Sequence, residues 1–222
     1  MNDAVSDEGT ASRRPGARER QRIRTRTAVI DAAIELFAQR GFDGTSLPAI
    51  AQASGVPVPL AMYHFGSKEG LWREAVALLC GRVEEHIQGF ASQLAGAQGL
   101  EFYRIAARAH ITALAAHPEY MRILFQEGTQ HSDRLEWLVA NHQSRLSAMQ
   151  MAVIQRAQAE GLFPPMDLVH AKFLVSGMFS LPIVLAPEYS IATGADSLAA
   201  DFIEQHIDAC LRLLFPNAFT RE

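Results

Sequence analysis

The chain has 222 residues, 49% of them hydrophobic, 20% charged and 8% aromatic. That make-up belongs to a globular protein with a substantial core and excludes a disordered or collagen-like chain. The net charge of −4 taken alone argues against a nucleic-acid partner, but it hides an asymmetry: residues 11–73 hold ten Lys/Arg against five Asp/Glu, and residues 74–222 hold ten against sixteen. A basic end joined to an acidic body suits a DNA reader with a separate second function. Cys80 and Cys210 are flanked by leucines and read as two buried thiols, so no disulfide framework is expected and a reducing cytoplasm fits. The acidic start Met1–Thr10 carries no secretory signal, and the apolar run Phe173–Pro187 is interrupted by Gly177 and Pro182. A cytoplasmic protein with no membrane partner is therefore expected.

Residues 1–16 are polar, lack periodicity and end in Pro15-Gly16, as a disordered tail would. Ile30, Ala33, Ile34 and Phe37 then recur at helical spacing until Gly41. Thr45 and Ser46 are N-cap candidates for a second short helix, ended by Gly55, and residues 58–64 form a third. Ser67 caps a long helix with Leu71, Ala75, Leu79, Val83 and Ile87 on one face, and Gly96 and Gly99 interrupt the chain. Helices follow over 100–116, from Pro118 to Gly128, from Ser132 to Glu160, from Asp167 to about Ala186, and from about Ser197 to Leu214. Nothing alternates as a strand would. The expectation is all-α: nine helices, with a three-helix head over residues 17–66 and a six-helix body over residues 67–222.

The run from Thr45 to Val56 has the pattern of a helix-turn-helix. Ala51 and Ala53 allow close helix approach, Gly55 supplies the turn's unusual backbone angle, and Val56 plugs the corner. Residues 58–64 would then be the recognition helix in the major groove. Ala32-Ala33, Phe37, Gly41-Phe42, Thr45-Ser46, Ile50-Ala51, Gly55-Val56 and the run Tyr63-His64-Phe65-Gly66-Ser67-Lys68-Glu69-Gly70-Leu71 together resemble the TetR family of transcriptional regulators, closely over about residues 25–75. The resemblance implies an Ω-shaped homodimer with a DNA-binding head on each subunit and a body that carries the ligand pocket. It also implies an effector that releases the operator.

On that resemblance Lys68 meets a backbone phosphate at the start of the fourth helix, where free amides already favour an anion. Tyr63 and His64 match phosphate-reaching positions, and Thr45 and Ser46 either meet phosphate or act only as caps. Base reading falls to Pro48, Val58, Pro59 and Leu60, which are more apolar than the commoner family pattern. Such side chains read thymine methyls but make no bidentate bonds to guanine or adenine. Arg18, Arg20 and Arg22, with other arginines nearby, form either a flexible minor-groove arm or a solvated basic face.

In the body, His86, Phe90, His110, His117, Phe125, Met149 and Phe179 are candidates to touch a hydrophobic or aromatic small-molecule effector. Phe173, Met178, Phe202 and Cys210 belong to helices too apolar for one subunit's core and are candidates for a two-fold dimer contact, with a palindromic operator as its corollary. No metal-ligand spacing, glycine-rich phosphate loop or Gly-x-Ser-x-Gly elbow occurs. Neither a metal, a cofactor nor catalysis is expected. The rival from another class is an all-helical small-molecule carrier or protein adaptor without specific DNA binding.

Overall fold

Ser46 and Ser67 are each followed three residues on by an amide that their side chains accept from, Ala49 N at 3.3 Å and Gly70 N at 2.9 Å. These caps fix where two of the N-terminal helices begin. In the computed structural model, which describes residues 16–219, the first four helices are α1 (Ala17–Arg40), α2 (Leu47–Ser54), α3 (Val58–Phe65) and α4 (Lys68–Gln88). Gly41, Gly55 and Gly66, with φ of 71°, 68° and 73°, form the corners between them. Such angles are strained for any residue carrying a Cβ.

The rest is α5 (Ala91–Gly96), α6 (Gly99–Ala116), α7 (Pro118–Gly128), α8 (Asp133–Leu138), a π turn (Val139–Gln143), α9 (Ser144–Ala159), α10 (Leu168–Val184), α11 (Ala186–Thr193), α12 (Ala200–Leu214) and α13 (Pro216–Phe219). No strand occurs among the described residues. The all-α plan with a three-helix head matches expectation, but the body is cut more finely than six helices. The expected helix from Ser67 stops at Gly89, the one from Ser132 contains the π turn, and α11 was not foreseen. The proposed tail over residues 1–16 lies outside the described residues except for Gly16.

Phe37 and Ile50 in the head, and Leu71, Trp72, Ile111, Leu114, Leu138, Ile183, Ile207 and Leu211 in the body, are all fully buried. They belong to one apolar cluster. Helix α1 packs on both α4 and α7, so the head sits on the body rather than on a tether.

Pro182 lies inside α10 and has no N–H to offer the Met178 carbonyl one turn earlier. His206 of α12 fills the vacancy, its Nε2 lying 3.1 Å from Met178 O, and Ser197 Oγ donates to the Pro182 carbonyl at 2.8 Å. A buried carbonyl stripped of its partner costs free energy comparable to a lost hydrogen bond. No single helix among the described residues is long and apolar enough to cross a membrane; α10 and α11 together reach that length only as a pair bent by 65°. Replacing His206→Phe, which keeps a ring against Phe202 but removes the donor, should cost about 1–3 kcal/mol in urea unfolding; an unchanged midpoint would mean that Met178 finds another donor.

Candidate nucleic-acid interface and interior cavity

Helix α3 turns Ala61 and Phe65 into the core and leaves Pro59, Leu60 and Tyr63 exposed, Tyr63 by 81%. Pro57 precedes the helix and Pro59 sits in its first turn, where a missing N–H leaves no carbonyl unpaired. Ser46 and Pro48 are exposed at the start of α2, while Val58 and His64 are half-buried. Gly70 allows α4 to start tight against α3, because a Cβ there would stand 2.4 Å from the Phe65 carbonyl oxygen.

Thr45 departs from the expectation that it meets phosphate. It is only 1% exposed, and its hydroxyl lies 3.0 Å from the Leu36 carbonyl and 2.8 Å from that of Gly41. Its side chain ties the loop after α1 back onto that helix, and Ser46 alone caps α2. The flexible-arm reading of Arg18, Arg20 and Arg22 is also corrected. All three lie within helix α1, and Arg22 Nη2 is paired with Glu19 at 2.7 Å. All three side chains are exposed along the first turns of that helix.

Lys68 is half-buried at the first position of α4 and makes no ion pair among the described residues. Its Nζ lies 4.3 Å from the centre of the Phe42 ring. Arg134 also meets that ring, at 4.1 Å, and is held by the buried Glu127 at 3.1 Å. The first turn of α4 therefore combines an uncompensated cation, free amides and exposed Ser67, an arrangement suited to an anion.

The body holds a cavity of about 160 Å³ between α6, α9, α10 and α12. Of the expected effector residues, His110, Met149 and Phe179 line it. The others lie elsewhere. His86 Nε2 is 3.0 Å from Thr112 Oγ1, and its ring meets Phe90 and His117 in a separate cluster. Phe125 is 40% exposed on α7. Helical periodicity alone does not tell which of several inward faces meets a void. The wall also includes Tyr103, Gln150, Val153 and Leu214, which the sequence alone does not single out as effector contacts. The spacing of Leu146, Met149, Gln150 and Val153 was the available signal, with Gln150 as the polar interruption.

Tyr103 donates its hydroxyl to Glu160 at 2.7 Å. Gln150 accepts from Ser176 Oγ at 3.0 Å, but its Nε2 is shut off from solvent without a partner. His110 makes no hydrogen bond among the described residues; burial first, then the nearby Lys172 charge, pushes its imidazole down to about 4, so the ring is neutral.

Phe173 is 66% exposed on α10, with Val169, Leu174 and Leu181 also exposed. Met178 and Phe202 are half-buried. Cys210, expected at a dimer contact, is instead 1% exposed within its own subunit, behind His206. Both cysteines are free and buried. Burial holds the Cys80 thiol at about 12 and the Cys210 thiol at about 11, so both stay protonated.

The model described as bacterial regulatory proteins of the tetR family matches residues 29–75. The transcriptional regulator RutR of Escherichia coli K12 is 24% identical over 199 residues, 90% of this chain and 92% of RutR. The structure of a putative fatty acid metabolism regulator of Clostridium perfringens superposes with a TM-score of 0.68 at 15% identity, covering 85% of this chain and 97% of that one. AibR, solved with isovaleryl coenzyme A and operator DNA, gives a TM-score of 0.63 at 22% identity over 86% and 98%.

Burial also lowers the imidazoles of His117, His142 and His206 from their ordinary 6.5. The unfolded chain binds protons below 6.5 that the folded chain refuses, so stability is fully present above that value and drains as the pH falls. Urea midpoints should decline between about pH 7.5 and about pH 5.5, above the range where carboxylates dominate; a flat profile would mean that these rings protonate equally in both states.

Proposed function

Since its DNA-binding head makes this chain a member of the TetR family of bacterial regulators, we propose that it is a ligand-responsive repressor, a homodimer that grips a palindromic operator and leaves it when a small molecule fills the cavity. The observation that carries this reading is the pairing, in one chain, of a helix-turn-helix with its outer side exposed and an apolar cavity in the body behind it. The two share one core through α1, α4 and α7, which gives strain at the cavity a solid path to the head. AibR combines operator DNA and an acyl-coenzyme A in one structure of the same fold, a precedent for both partners.

In this reading residues 17–66 bind DNA and residues 67–222 bind effector and partner subunit, in the cytoplasm with the chromosome. Ser46, Tyr63, His64 and Lys68 hold phosphates. Pro48, Val58, Pro59 and Leu60 face the bases, where apolar contact favours thymine methyls and DNA shape contributes the remaining selectivity. The exposed row along α10 that includes Phe173, with Met178 and Phe202 beside it, is the self-complementary contact.

A mobility-shift assay against the protein's own upstream DNA should show saturable binding that resists competitor. Lys68→Ala should weaken it about tenfold and lower the salt slope by about one. No binding to any genomic fragment would overturn the reading in favour of a protein adaptor using the apolar α3. Phe173→Glu should turn a dimer into a monomer by analytical ultracentrifugation and abolish operator binding together with it; a monomeric wild-type protein at micromolar concentration would overturn the two-fold arrangement.

A further inference from the structure

Lysine is an unfavourable residue for the place that Lys68 occupies. It is the first residue of α4, where the helix dipole turns its positive end outward and disfavours a cation. Its nearest acid in sequence, Glu69, is taken by Arg73 at 2.5 Å. A long, flexible, strongly hydrated ammonium in that position would swing away from the helix start into water. Instead its Nζ rests 4.3 Å from the centre of the half-buried Phe42 ring. The negative face of an aromatic ring offsets the dipole and keeps the charge beside the first turn.

The ring can do this only while its plane is fixed, and part of what fixes it comes from the body. Phe37 stacks on it with the planes 13° apart, and Trp72 meets it at 90°. Arg134, in the first turn of α8, sets its guanidinium carbon 4.1 Å from the ring centre. That guanidinium is itself anchored. Its Nε donates to both carboxylate oxygens of Glu127 on α7, at 3.2 and 3.1 Å. Ser132 Oγ reaches the same carboxylate at 3.5 Å and caps α8 by accepting from Leu135 N at 3.1 Å. Glu127 is buried and neutralises Arg134, so the second cation on the ring does not drive Lys68 off it.

We infer that Arg134 is a positioning residue for operator binding: anchored by Glu127, it sets the Phe42 ring, and the ring holds the Lys68 ammonium at the first turn of α4 ready for a DNA phosphate. This rests on reading Lys68 as a phosphate contact and extends the grip on DNA to two residues of the body. A side chain already held in place loses less freedom when it binds.

A double-mutant cycle on operator affinity tests it, by mobility shift of the full chain on its own upstream DNA. Arg134→Gln is made together with Glu127→Gln, so that no buried carboxylate is left unpaired. The pair should weaken operator binding about threefold when Lys68 is present, and should change nothing in a Lys68→Ala background, where the side chain it positions is gone. Phe42→Leu, which keeps an apolar side chain but has no π face, should behave in the same way, and it carries the test where the paired variant does not fold.

Equal weakening in both backgrounds would overturn the assignment, because Arg134 would then meet DNA itself or only steady the fold. Full affinity in both variants, with Lys68→Ala still weakened, leaves the phosphate contact standing and overturns the positioning role alone. Wild-type affinity in Lys68→Ala overturns the contact and the positioning role together.

Discussion

The ring of Phe42 is the joint on which head and body meet. It stacks on Phe37 at 5.9 Å, meets the edge of Trp72 at 6.4 Å, and carries the guanidinium of Arg134 and the ammonium of Lys68. Trp72 in turn meets Trp137 at 5.7 Å. One aromatic seam therefore runs from the loop after α1, through α4, to the end of α8. Each cation–π contact contributes on the order of 1 kcal/mol, but their geometry matters more than their sum. Arg134 cannot move without its buried partner Glu127, and Phe42 cannot move without Lys68. Gln126 adds a bond from α7 to the Ala38 carbonyl of α1 at 2.9 Å. Packed interiors of this kind switch between discrete arrangements rather than bending smoothly, so a shift of α7 reaches the first turn of α4 as a displacement and not as slack.

The head also separates two tasks that DNA readers often merge. Side chains able to meet phosphate stand at helix starts and ends, whereas the exposed side of α3 carries Pro59 and Leu60. Affinity in such an arrangement comes from charge and is salt-sensitive; selectivity comes from shape and methyl contact. The exposed arginines along the first turns of α1 add positive charge to the head. Because they are helical and Arg22 is tied to Glu19, they present a fixed basic edge.

Much of this was legible in the sequence. Gly41, Gly55 and Gly66 mark real corners, and Ser46 and Ser67 are real caps, because both signals are local: a backbone angle or an amide three residues away. What was not legible depends on distant chain. Thr45 and Ser46 are equally able caps on paper, and only the path of the loop turns one hydroxyl inward. Cys210 and Phe202 share an apolar helix, but the side that faces α10 is decided by His206 and its reach to Met178. The cavity was half legible for the same reason: His110, Met149 and Phe179 were named, whereas His86, Phe90 and His117 form a cluster of their own. Helix α11 is hidden in the sequence because Pro187, which reads as a breaker, stands at the start of that helix, where proline is welcome.

The π turn at Val139–Gln143 has a geometric consequence for the long helical arm made by α8 and α9. A regular helix advances about 100° per residue, so a stripe facing one neighbour keeps its bearing along the whole rod. A π turn takes up residues without the usual rotation and re-aims everything after it. Before the turn, the arm answers to the aromatic seam through Arg134 and Trp137; after it, the arm answers to the cavity through Leu146, Met149, Gln150 and Val153. The turn works as a phase shifter, allowing one uninterrupted rod to keep two appointments at different compass points.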